Sequence, residues 1–153
     1  MPTSWNIALQ ATVLVTAALL RINTPGWILI LLVGSVVGLV LTCVPLVTAL
    51  VVRGRGRLGS TTAVPFVVAA VSLLVAAAFL AEADDRHDYV PILALVAGDA
   101  VRPPGMTFHF ALGDGAVLVY LCSLVWLLDA LVATSRRGGL DRGAPGPAEG
   151  RAR

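Results

Sequence analysis

WILILLVGSVVGLVLTCVPLVTALVV, residues 27–52, runs its whole length without a charged side chain. A bilayer core of about 30 Å is crossed by roughly 20 helical residues, so this stretch reads as a transmembrane helix with length to spare. Asn23-Thr24-Pro25-Gly26 before it is a turn signal. Trp27 suits an interface, where an amphipathic ring is favoured. Pro45 should bend the helix without ending it, because a freed carbonyl inside a membrane protein can find another partner. Gly34 and Gly38 form a small-residue pair that permits close helix approach.

The rest of the chain agrees with that reading. Of its 153 residues, 58% are hydrophobic and 13% charged. A soluble domain carries about 25% charge, and so few charges could not cover a water-facing surface. The first apolar run, Trp5–Leu20, is short, but Arg21 can extend its guanidinium outward and Ile22 adds length, giving a span of about 5–22. A cleaved signal peptide is disfavoured, since Met1–Asn6 has no basic residue and no small-residue cleavage site follows. A third run covers 61–80, with Pro65 in its first turn, and a fourth covers 108–133. Between them lies the longest connection, 81–107. Its apolar part, about 90–101, is too short to cross and is expected as a short helix at the outer interface. The segment 134–153 has almost nothing apolar to bury and is expected as a disordered tail. The expectation is an all-α integral membrane protein: a four-transmembrane-helix bundle over 1–133, with a short outer interfacial helix in the third loop.

Arginine placement orients the bundle. All eleven basic residues are arginine. Three lie in 53–60 and five in the tail, whereas Arg86 and Arg102 in the third loop face five acids. The positive-inside rule places 53–60, the tail and the N-terminus in the cytoplasm, in a plasma (inner) membrane.

Candidate functional groups are few. Ionisable groups within spans are the first to consider, and Asp129 is the best placed, either as a relay or paired with an arginine of the tail or the 53–57 loop. Cys122, Trp126 and Asp129 follow at i, i+4 and i+7, so they share one helix face, expected as a helix–helix contact. Asn6 and Gln10 share a face of the first helix and suit interhelical hydrogen bonding. At the outer surface, His87, Asp88, His109 and Asp114 form a possible polar site, although no metal-ligand spacing is present. Asp114 is also explained by the helix dipole alone. Cys43 and Cys122 belong to no paired motif and read as packing residues.

No hydrolase elbow, zinc-protease or phosphate-loop motif is present. Nothing calls for a metal or other cofactor, and no basic patch with interleaved aromatics points to nucleic acid. Small multidrug exporters also have four short helices, but they are typified by an acid in the first helix, which is absent here, and by short loops. The leading expectation is a non-enzymatic accessory or structural subunit with the lipid bilayer, other membrane proteins or its own copies as partners. The alternatives are an oligomeric transporter or channel and a membrane enzyme using the outer-face His/Asp group.

The orientation has a direct test. A reporter active only outside the cytoplasm should be active when fused after Asp88 and silent after Arg142; the reverse pattern inverts the topology.

Overall fold

The computed structural model describes residues 1–24, 26–83, 88–97 and 106–142. They form α1 (Thr3–Asn23), α2 (Trp27–Gly34), α3 (Val36–Val51), a 3₁₀ turn (Val52–Arg55), α4 (Ser60–Phe79), α5 (Pro91–Ala97) and α6 (Met106–Arg142). Two-residue strands β1 (Glu82–Ala83) and β2 (Asp88–Tyr89) pair antiparallel in the connection after α4. Four helices are long and apolar enough to cross a membrane: Thr3–Asn23, Val36–Gly54, Ser60–Phe79 and Phe108–Ala133.

The four run up, down, up and down. Met1 anchors α1 to the loop after α3: its ammonium donates to Leu58 O at 3.1 Å, and Leu58 N returns a bond to Met1 O at 2.9 Å. Thr3 Oγ1 donates to Gly56 O at 3.1 Å. Gly56 has φ 68°, a left-handed conformation that glycine adopts without penalty, and it closes this turn. The N-terminus, the 53–58 loop and the C-terminal part of the fourth span therefore share one end of the bundle. At that end Ala49, Val52, Leu58, Phe66 and Leu127 form a closed core. The opposite end carries Arg21, Leu80 and His109.

α4 is the central helix, packed most extensively on α6 and next on α1. Its buried residues Thr62, Pro65, Phe66, Ala69, Ala70 and Ser72 recur at helical period. In α6 the inward face is Gly113, Ala116, Tyr120, Ser123/Leu124, Leu127 and Ala130. At Gly113 the two helices nearly touch. A Cβ there would lie 2.5 Å from Leu80 Cα and N, so only glycine fits. The polarity of α1 is inverted relative to a soluble helix: Asn6, Gln10 and Arg21 are buried, while Trp5 is 72% exposed, with Val15, Leu19 and Ile22 also outside. That pattern suits a lipid surround rather than water.

Three features differ from the sequence expectation. The run 27–52 is two helices. Ser35 is extended (φ −98°, ψ 127°), and its hydroxyl accepts from Gly38 N at 3.0 Å, replacing the bond a continuous helix would make. Glycine next to a serine, both weak helix formers, makes that alternative cheap. Pro65 falls in the second turn of α4, because the helix starts at Ser60. The short helix after β2 is described over Pro91–Ala97, and the remainder of the expected 90–101 segment lies outside the described residues; proline occupies its first position, where no N–H is needed, and Val90 O accepts from Leu93 and Ala94 N. α6 continues to Arg142, past the expected tail boundary at 133/134. Once a helix exists, each further residue adds a hydrogen bond, and no proline intervenes before Pro145.

The Gly113 contact predicts a specific sensitivity. Gly113→Ala should destabilise by about 1–3 kcal/mol through overpacking against backbone that cannot yield. Gly115→Ala, with nothing within 4 Å of its Cβ position, should be neutral or slightly stabilising. Thermal unfolding in detergent compares them, and equal melting temperatures would disprove the close contact.

Candidate functional site

Proline 45 lacks the N–H that would bond the carbonyl of Leu41, one turn earlier. The Tyr120 hydroxyl donates to Leu41 O at 2.9 Å, from α6 across to α3, and Tyr120 is buried. Other side chains also bond backbone carbonyls across helices. Gln10 Nε2 donates to Phe66 O at 3.0 Å, tying α1 to α4, and lies 3.4 Å from Asn6 Oδ1. Asn6 is fully buried, and its Nδ2 has no partner among the described residues. The Arg21 guanidinium does not extend outward as its position suggested. It is 6% exposed and donates to Ala76 O and Leu80 O, both at 3.0 Å. Those are last-turn carbonyls of α4, where a cation also meets the negative end of the helix dipole. Span hydroxyls turn back on their own helices: Thr42 to Gly38 O, Thr48 to Val44 O, Ser72 to Val68 O and Ser123 to Tyr120 O.

Above the Tyr120–Leu41 bond, α3 parts from the bundle. Val36, Val37, Leu39 and Val40 are exposed, and of the α3 side chains only Pro45 and Ala49 are buried. The gap is a cavity of about 460 Å³ between α1, α3, α4 and α6. Arg21 and Leu80 bound one end; Leu14, Cys43, Leu73 and Tyr120 line it more deeply. Its walls are almost wholly apolar, with Tyr120 and Thr42 already hydrogen-bonded.

The residues singled out from the sequence are dispersed. Gly34 and Gly38 are not one helix-face pair: the break at Ser35 puts them on different helices, and Gly34 has nothing within 4 Å of its Cβ position. Cys122, Trp126 and Asp129 do share a face of α6, but it points out of the bundle; all three are exposed. The helix packs through the face opposite, where Gly113 and the small residues Ala116, Ser123 and Ala130 let α4 approach. Asp129 forms no ion pair among the described residues. His109 stacks on Phe79 at 5.9 Å and meets Phe108 edge-on at 5.7 Å. Asp114 is exposed, His87 lies outside the described residues, and Asp88 pairs by its backbone with Ala83. No group of three or more metal-ligating side chains occurs among the described residues.

Sequence reasoning passed over Tyr120 and Gly113 and pointed Arg21 the wrong way. A signal existed for Tyr120: a proline inside an apolar span demands a donor for the carbonyl four residues earlier, and donors in these spans are scarce. Nothing in the sequence marks Gly113 apart from Gly115.

The proline–tyrosine relation predicts coupling. Tyr120→Phe should cost about 0.5–2 kcal/mol by leaving Leu41 O unbonded. In a Pro45→Ala background the restored N–H serves that carbonyl, and the same change should cost close to nothing. A double-mutant cycle on thermal stability measures the difference, and strict additivity would break the link.

No known protein family matches the chain, and no characterised protein or solved structure does so either.

Proposed function

We propose that this chain is a four-pass membrane protein, with both termini in the cytoplasm, that serves as an accessory subunit by binding another membrane protein through α6. The observation that carries this reading is the outward face Cys122–Trp126–Asp129. Trp126 is 44% exposed, and Asp129 stands beside it on the outside of the bundle. A carboxylate on a lipid-facing surface is unfavourable, and a partner helix that bonds it removes the cost. Tryptophan is among the residues that most often anchor interfaces.

The interior supports the same reading. Gln10, Arg21, Ser72, Tyr120 and Ser123 bond backbone carbonyls within and between the helices, and the cavity wall is apolar. A transport path needs a polar lining, and a relay needs successive ionisable groups. Catalysis at the outer face would need imidazole and carboxylates together, whereas His109 packs on aromatic rings and Asp114 is exposed.

Purification in mild detergent tests the proposal. A stoichiometric membrane partner should co-purify with the natural chain. Trp126→Ala with Asp129→Ala should weaken that association about tenfold or more, as truncated interface anchors do. The melting temperature of the isolated chain should stay unchanged, because both side chains are exposed. If no partner is found and Asp129→Asn abolishes ion movement into vesicles while leaving the fold intact, the chain is a transporter instead.

A further inference from the structure

We propose that the cavity between α1, α3, α4 and α6 is a binding site for one acyl chain of a phospholipid, seated with its head at the Arg21 end. The proposal rests on the membrane reading above but not on the subunit role.

Protein interiors are close-packed, and this bundle is no exception at its other end, where Ala49, Phe66 and Leu127 have no exposed surface. A gap of about 460 Å³ is far beyond ordinary packing faults and lies within the size range of small-molecule sites. Left empty, its lining would forfeit its dispersion contacts on one side. Water is a poor occupant, because a buried water needs two to four polar partners. The hydroxyls on the wall are engaged: Tyr120 bonds Leu41 O, and Thr42 bonds Gly38 O. The occupant is therefore apolar.

Its shape and setting select a chain with a head. Small residues make the floor, with Ala17, Ala18, Ala76, Ala77 and Gly38 contributing, so the site is a slot between helices. From Arg21 to Leu14 it follows α1 for two turns, about 10 Å. The deep end meets the bonded Tyr120, which offers nothing to a polar group. The other end lies where α1 and α4 terminate, beside the Arg21 guanidinium, at the level where phospholipid heads sit if these helices span a bilayer. A hydrocarbon tail fits the apolar interior, and its head then lies at the rim, near the positive charge that Arg21 keeps while bonded to Ala76 O and Leu80 O.

The two cysteines provide the test. Both are free; Cys43 lines the cavity, and Cys122 is exposed on the outer face of α6. In the detergent-solubilised full chain, phosphatidylglycerol at ten times its Kd should slow Cys43 alkylation by a small apolar maleimide about tenfold and leave Cys122 unchanged. Glycerol 3-phosphate, a head without a chain, should do neither. Native mass spectrometry should show one phosphatidylglycerol per chain, lost in Ala18→Phe, whose ring fills the slot. If that variant misfolds, the Cys43 protection decides alone. Equal protection of both cysteines, no bound lipid, or an adduct undiminished in a folded Ala18→Phe variant would overturn the site. A chain that stays in solution without detergent would instead overturn the membrane reading itself.

Discussion

A backbone carbonyl inside an apolar bundle has no water to turn to, so every carbonyl that a helix leaves unbonded must be served by a side chain from elsewhere. Three interhelical bonds to backbone carbonyls organise this protein. Tyr120 serves Leu41 O, which Pro45 has stripped of its helical donor. Arg21 serves the closing carbonyls of α4. Gln10 reaches Phe66 O in the middle of the same helix. Each bond crosses from one helix to another, and each is directional. Together they set the register of α1 against α4 and of α3 against α6, which apolar contact alone would leave loosely defined.

α4 occupies the centre for a steric reason. Its buried face is rich in alanine, and the facing side of α6 offers Gly113 and other small residues, so these two backbones nearly touch at Gly113. α1 presents its polar side chains to this pair and its large apolar ones outward. The N-terminal segment then clamps the 53–58 loop through paired backbone bonds, so α1, α3 and α4 are tied at one end without a covalent link.

The opposite end is built differently. The Ser35 break separates α2 from α3, and small residues of α1 and α4 line the slot that α3 leaves. Tight packing below the Tyr120 bond and an open slot above it follow from where α3 is held: Pro45 and Ala49 are buried and Leu41 and Val44 pack on the Tyr120 cluster, whereas Val36, Val37, Leu39 and Val40 are exposed.

Much of the architecture was legible in one dimension. Apolar runs of sufficient length mark four spanning-type helices whatever their neighbours do, because the requirement is local: enough apolar residues in succession. Gln10 on the inward face of α1 was also readable, since a polar residue in an apolar run seeks the interior. The helix break at Ser35 was not, because hydropathy does not register whether a serine hydroxyl displaces a backbone bond. Nor was the facing of α6. Cys122, Trp126 and Asp129 were correctly placed on a common face, but periodicity states only which residues share a side, never which side meets a neighbour. In a helix apolar all round, that choice falls to backbone approach at Gly113 and to the hydrogen bond at Tyr120, both of which need a second helix to exist. The sequence by itself thus determined the number, length and apolar character of the helices. Only the tertiary structure decided which faces are buried, that Arg21 caps a helix, and where a cavity is left, because close packing and hydrogen-bond partnership join residues far apart in the chain.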